Sequence, residues 1–387
     1  MKTLGLVLEL NPPHNGHKYF IKEAIKKVQP DYVISVLSTS FCMRGLPSCI
    51  DKWQKAQIAL NLGCDYVFEL PSINLLQNAD EFCKASIEKL VKLEITDIAF
   101  GVELDNLDKL KKNVDIMESA KYNLDIKAYL DKGLSYSASS LKALMEQTND
   151  LELINNFALP NNTLAICYLK ALKNYPNINI HLIKRIDNNY FDLHLAKTNI
   201  SSATAIRKAI EDDINYLDNV IDKDYSYLKE NIMLDKLFSL IKYQFSIHDL
   251  EYFKDILGIS EGIEARIAKF IATSNSFKEL ASNVQTKRYS LNHVNRALIN
   301  IALDNKMVNE ENYLRLLAFN LNKKDYLNKI NKETKTLIFS SAKDSDSKLL
   351  KAELRASKIY DIISGLNTYK LEFSAPLIKK DNIDEKI

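Results

Sequence analysis

Long apolar runs are missing from this 387-residue chain, and glycine, proline, cysteine, histidine and tryptophan are all sparse, at nine, eight, five, six and one. No stretch approaches the roughly 20 apolar residues that a membrane span requires. Lys2 followed by a short apolar run that ends at Glu9 lacks the layout of a signal peptide, so a cytoplasmic protein with no membrane partner is expected. The cysteines stand singly at 42, 49, 64, 83 and 167. An odd number without framework spacing points to reduced thiols, acting as small buried hydrophobes rather than nucleophiles. No Cys-x-x-Cys pair and no third histidine near His14 and His17 completes a zinc ligand set, so no protein-bound metal is expected. Internal repeats and low-complexity linkers are absent as well. A net charge of +2 does not by itself advertise nucleic-acid binding.

What the chain does have is an apolar strand joined to a helix through two histidines. Thr3 to Leu8 is a nearly continuous apolar run of the kind found in the middle of a parallel sheet, and Gly16 to Val28 repeats apolar residues at helical spacing. Between them runs Leu10-Asn-Pro-Pro-His-Asn-Gly-His17. Turns of this type are where parallel sheets bind ligands. Asn11, Pro12 and Pro13 stop the chain from continuing as strand or helix. Gly16 lets the backbone approach a phosphate, and the helix start offers unpaired N–H donors. His14 and His17 would face the same phosphate and donate hydrogen bonds to oxygens whose charge grows as pyrophosphate leaves. The pattern points to breakage of the α–β phosphate bond of a nucleotide. Two plainer readings use the same residues, a capping pair or half of a metal site.

A second element is Ile200-Ser-Ser-Ala-Thr-Ala-Ile-Arg-Lys-Ala-Ile210. Ser201 or Ser202 would cap the helix, Thr204 with the open N–H groups would hold the β and γ phosphates, and Arg207, one turn inside, would add positive charge. Standing alone, such a segment is an ordinary cap. Over the first 215 or so residues, strand-type runs (Tyr32 to Leu37, Tyr66 to Leu70, Ile98 to Phe100, Ile178 to Ile183) alternate with helical ones (Trp53 to Leu62, Ala79 to Leu93). That alternation predicts a parallel sheet with crossover helices, and from about Tyr225 helix follows helix. The expected fold is α/β, a Rossmann-like domain over 1–220 followed by an all-helical domain over 221–387.

In combination these segments resemble the bacterial tRNA(Met) cytidine acetate ligase family, which is nucleotidyltransferase-like. The resemblance extends through Phe41-Cys-Met-Arg-Gly-Leu-Pro47, Asp51-Lys-Trp53, Glu69-Leu-Pro71, Phe100-Gly-Val-Glu103, Leu159-Pro-Asn-Asn-Thr-Leu164 and Lys184-Arg-Ile186. In the distal half it includes Ser260-Glu-Gly-Ile-Glu264, Thr286-Lys-Arg-Tyr289 and Leu349 to Ile359. It implies catalytic His14 and His17. It also implies ATP lying against Val7, Leu8, Glu9, Leu10, Asn11, Pro12, Pro13, His14, Asn15, Gly16, His17, Lys18, Tyr19 and Phe20. Gly101 would sit beside the adenosine, with Asn162 and Arg185 completing the pocket and Ser202, Thr204 and Arg207 over the phosphates. Each has a physical rationale. Gly101, after an apolar strand, leaves room for a base or ribose; Asn162 offers donor and acceptor atoms; Arg185 can fork onto phosphate or carboxylate. The chain departs from the family pattern at Leu10, Pro13, Thr39 and Met43, the last two towards the acetate or cytidine end of the site.

The activity that the resemblance implies is an ATP-dependent ligation with Mg²⁺ accompanying ATP. Acetate becomes acetyl-adenylate and is passed to the exocyclic amine of the wobble cytidine of elongator tRNA(Met), giving N4-acetylcytidine. Between Lys323 and Lys358 ten Lys/Arg stand against five Asp/Glu, and Lys287, Arg288 and Arg296 lie at a helix start near Tyr289 and His293. A mixed-charge solvated face is one reading, and the tRNA-binding surface that the resemblance implies is the other. The alternatives for the whole chain are a nucleotidyltransferase that builds a dinucleotide cofactor, and an RNA-binding protein with a vestigial nucleotide site.

Overall fold

The computed structural model describes residues 1–186, 194–196, 198–308, 313–333 and 338–379. Its centre is strand β1 (Thr3–Leu8), whose Leu4, Leu6 and Leu8 are buried, as a strand covered on both faces requires. Strand β2 (Tyr32–Ser38) pairs with it in parallel, Leu4 opposite Val33 and Leu8 opposite Leu37. A two-strand hairpin, β3 (Phe41–Cys42) and β4 (Leu46–Pro47), follows. Strand β5 (Tyr66–Leu70) extends the sheet beyond β2, while β6 (Asp97–Val102) returns to the other side of β1 and β7 (Asn179–Lys184) lies beyond it, all in parallel. Successive connections therefore diverge on either side of β1, which opens a crevice at the carboxyl ends of β1 and β6.

The crossover helices follow the periodicity of the sequence. Asn15–Val28 links β1 to β2, Lys52–Asn61 precedes β5, and Ala79–Lys92 leads to β6. Capping side chains fix their starts: Asp51 accepts from the amides of Trp53 and Gln54, and Asn78 from that of Glu81. Between β6 and the helix Pro160–Leu172 the chain inserts four short helices, Leu107–Met117, Ala120–Asp131, Tyr136–Gln147 and Leu151–Ala158.

Beyond Glu230 the expected run of helices is present: Glu230–Ile247, Ile263–Ile271, Phe277–Val284 and Leu291–Leu303 share a core with Phe41, Leu76 and Tyr360. The expectation that the distal half is wholly helical is corrected after that point. Strand β8 (Leu314–Asn320) joins the first sheet antiparallel to β5, with β9 (Ile338–Phe339) and β10 (Leu377–Lys379) parallel to β8. The Leu-Arg-Leu-Leu-Ala-Phe run of β8 has helix-favouring composition, and only its position against the open edge of β5 makes it a strand. Arg315 within it is fully buried. It meets Glu372 at 2.6 Å and Glu69 at 3.5 Å, while Lys52 reaches Glu69 at 2.7 Å, Glu372 at 2.7 Å and Glu353 at 3.3 Å. Tyr313 donates to Glu69 as well. Among the described residues no helix is long and apolar enough to cross a membrane.

Candidate active site

The helix Asn15–Val28 starts at the His-x-Gly-His turn, and its cap is made by the two histidines themselves. His14, in extended conformation, is the N-cap: its Nδ1 accepts from the Gly16 amide at 3.1 Å, while the His14 amide donates to Nδ1 of His17 at 3.2 Å. This is a capping box built from imidazoles. A nitrogen that accepts from an amide carries no proton, so each neutral ring has its hydrogen on Nε2, the nitrogen left for a ligand. The capping and phosphate readings of the sequence are thus one arrangement. Any side chain at position 16 would place its Cβ 2.8 Å from the His14 ring, so glycine is needed there.

Electrostatics keep both rings neutral. Burial, then His17, Arg185 and Arg207, hold His14 well below the usual histidine range. Burial, then Arg185 and Lys55, lower His17 to about 3. Two neutral Nε2–H donors 3.9 Å apart between ring centres, inside a cationic surround, are arranged for an anion.

These donors open onto a cleft of about 220 Å³ at the switch point. Its walls come from Val7, Leu8 and Glu9 of the first strand, from Gly16, His17, Tyr19 and Phe20, from Ile98 to Gly101, and from Ile183 to Ile186. Asn161, Leu164 and Tyr168 form another side, with Ile200, Ser201 and Ser202 at the remaining edge. Gly101 does face this space: a Cβ there would lie 3.9 Å from Arg185 and 4.0 Å from Phe20. Arg185 is half-buried, its guanidinium makes no hydrogen bond among the described residues, and burial lowers its pKa. Ser202 caps the helix Ala203–Glu211 by accepting from the Ala205 amide at 3.1 Å.

Other residues expected at the nucleotide lie outside the lining. Leu10, Asn11, Pro12 and Pro13 are buried behind it, with Leu10 in the left-handed region at φ 51°. Asn11 accepts from the Cys49 amide at 2.9 Å, and Arg207 donates to the Asn11 carbonyl at 2.7 Å and to Thr204 at 3.3 Å, with Glu230 at 3.5 Å. Asn15 is spent on the carbonyls of Asn199 and Asp218, and Lys18 is exposed. Asn162 is fully buried with four bonds satisfied: it accepts from the amides of Glu103 and Leu104 and donates to Leu104 and Asn156. It shapes the wall, and its neighbour Asn161 is the one in the cleft. Asn161 stood in the Leu159-Pro-Asn-Asn-Thr-Leu164 segment without a role of its own, and Tyr168 had no signal in the sequence. Tyr168 is brought in from two turns further along the same helix.

Beyond Glu9 the cleft is tied to the helical half. Lys55, fully buried, donates to the carbonyls of Glu9 and Thr39 and to Ser38, and burial lowers it to about 8. Glu9 accepts from the Met43 amide at 2.6 Å, and the Met43 carbonyl accepts from Arg296 at 3.1 Å. Arg296 is therefore half-buried at this junction, apart from the exposed Arg288, which pairs with Glu261. Lys287 and Arg288 precede the helix, whose cap is Ser290.

The sheet, the His-x-Gly-His turn and the second helix start define an enzyme class. Residues 1–373 match the family HIGH Nucleotidyl Transferase, to which the chain belongs. Within it the chain is a member of the tRNA(Met) cytidine acetate ligase family. The protein of that name from Caldanaerobacter subterraneus subsp. tengcongensis is 33% identical over 98% of this chain and 100% of its own length. That from Staphylococcus aureus is 30% identical over 98% of this chain and 100% of its own. The apo crystal structure of Thermotoga maritima TmcAL superposes with a TM-score of 0.88 at 26% identity, covering 98% of this chain and 99% of that one. A second form of that protein, bound with alpha-thio ATP, gives a TM-score of 0.85 over the same shares. This chain is thus a ligase by family.

Proposed function

We propose that the protein binds ATP in the crevice between β1 and β6 and uses it to join acetate to cytidine in tRNA(Met). The observation that carries this is the pair of neutral imidazoles at the cleft, each held at Nδ1 by a backbone amide so that Nε2–H is left to meet a phosphate. The adenosine would lie near Gly101 and Phe20, and the triphosphate would run along the starts of the helices at His14 and Ser202, with Arg185 beside it. Acetate attacks the α-phosphate, pyrophosphate leaves, and the developing charge is met by the two Nε2–H donors. The wobble cytidine amine then attacks the acetyl carbon, loses a proton and releases AMP.

Mg²⁺ would travel with the phosphates, since Glu9 is the one acidic side chain among the described residues that line the cleft. We assign the catalytic role to residues 1–220, whose sheet is completed by β8, β9 and β10, and contact with the tRNA body to the helical part of 221–387, where Lys287 and Arg288 are the exposed members of the expected Lys287, Arg288 and Arg296 set. The relatives' name and the ATP analogue in the neighbouring structure support this reading. The test is incubation with ATP and labelled acetate, with and without tRNA(Met), followed by nucleoside mass spectrometry. Label in N4-acetylcytidine is the expected result. ATP turnover without labelled cytidine would overturn it.

A further inference from the structure

The first helix carries a cationic edge that the nucleotide site leaves unused. Lys18, Lys22 and Lys26 are exposed and recur every fourth residue, so one side of Asn15–Val28 presents three ammonium groups about 6 Å apart along its axis. None of them forms an ion pair or hydrogen bond among the described residues, although neighbouring Lys27 donates to the Leu182 carbonyl at 3.0 Å. The helix has a single acidic residue, the half-buried Glu23, and none in its first turn.

Lys18 is the informative member. It stands in the first turn, where the helix dipole already places positive charge and a lysine is disfavoured. A solvated face chosen for helix stability would carry Asp or Glu there. The row begins beside His17 and leads away from the cleft. At the cleft rim, exposed Lys184 on the adjoining strand and half-buried Arg185 add charge of the same sign. The surface expected from the sequence is less suited, because Arg288 is paired with Glu261 and Arg296 is turned inward to Met43.

We propose that Lys18, Lys22 and Lys26 form a track for the phosphodiester backbone of the RNA substrate, leading the target nucleotide into the cleft past His17. The spacing suits successive phosphates of one strand, and a lysine row grips a backbone without reading its bases. This rests on the RNA-modifying function proposed above and adds where the RNA enters.

The test is filter binding of tRNA(Met) to the full-length protein at several salt concentrations, with Lys22→Ala/Lys26→Ala and Lys22→Arg/Lys26→Arg as the variants. Both positions lie outside the nucleotide pocket, so acetate-dependent ATP–pyrophosphate exchange should match wild type and reports on folding. The alanine pair should weaken tRNA binding roughly tenfold at low salt and reduce the log–log salt slope by between one and two, while the arginine pair keeps both. An unchanged slope and affinity in the alanine pair, with exchange intact, would overturn the track. Wild-type protein that binds tRNA yet transfers no acetyl group would instead overturn the function, since the track is judged by binding alone.

Discussion

At the scale of the residue, the site depends on where two protons sit. If Nε2–H of His14 and His17 serves the leaving pyrophosphate, removing either should slow acetyl-adenylate formation by about two orders of magnitude or more. Alanine at 14 also deletes a cap, at about 1 kcal/mol, so His14→Asn is the cleaner variant: it can still accept from the Gly16 amide but has no Nε2–H. Pyrophosphate exchange should fall in His14→Asn and His17→Ala while thermal unfolding stays close to wild type; normal exchange would remove the histidines from the chemistry. The lowered pKa values give a second expectation. Below the ordinary value of 6.5 the unfolded chain takes protons that the folded site refuses, so these rings make stability fall as pH falls from 6.5 towards about 3 for His17. In the unliganded protein, imidazole NMR signals of both rings should show no titration between pH 5 and 8. A midpoint near 6.5 for either would show that it is not held neutral.

At the scale of the element, the hairpin of β3 and β4 joins the cleft to the helical half. Gly45 has φ +73°, and a Cβ there would come within 2.4 Å of the Arg296 amide nitrogen and 2.7 Å of Asn295 backbone. Gly45→Ala should therefore destabilise by about 2 kcal/mol or more, read as a lower unfolding temperature, and weaken the Arg296 contact. A stability equal to wild type would mean that the hairpin is not packed as described. Legibility varies with element in the same way. The strands at 3–8 and 66–70 and the helix after His14 were readable because burial on both faces and capping leave a local imprint. Ser202 as a cap was readable for the same reason. Asn162 was placed at the nucleotide because an amide can bind one, but only the fold shows its four bonds already taken by Glu103, Leu104 and Asn156. The Thr39 and Met43 departures look different in three dimensions, since the backbone of each is tied in, Thr39 to Lys55 and Met43 to Glu9 and Arg296, while the Thr39 hydroxyl meets that of Ser72 at 3.1 Å and the Met43 side chain packs against the core.

At the scale of the whole molecule, the two halves are held by charges buried together. Glu69, Glu353 and Glu372 stand against Lys52 and Arg315, so full ionisation leaves one negative charge in excess. Burial, and then repulsion from Glu69 and Glu372 offset by Lys52 and the Ser72 amide, raise Glu353 to about 7. A raised carboxyl is protonated in the folded state where the unfolded chain has already lost its proton. Its contribution to stability therefore declines as pH rises from the ordinary 4.5 to about 7. Glu353→Gln should gain about 1–3 kcal/mol relative to wild type over that window, measured as the difference in denaturant midpoints at pH 5 and pH 8. A difference that does not change with pH would show Glu353 charged throughout. None of this network was visible in the sequence, because its members are separated by up to 320 positions and each alone resembles a surface charge.

The placement of β8 also bears on how the protein is made. β5 is the outer parallel strand of everything preceding it, and its partner leaves the ribosome only after the helices from Glu230 to Leu303. Until then a nascent chain carries an open, apolar sheet edge beside the Lys52–Glu69 pair, which still lacks the Arg315, Glu353 and Glu372 that complete its network. Translation that stops early thus yields a chain with an adhesive edge and an unfinished core, a form suited to aggregation or proteolysis rather than to partial activity.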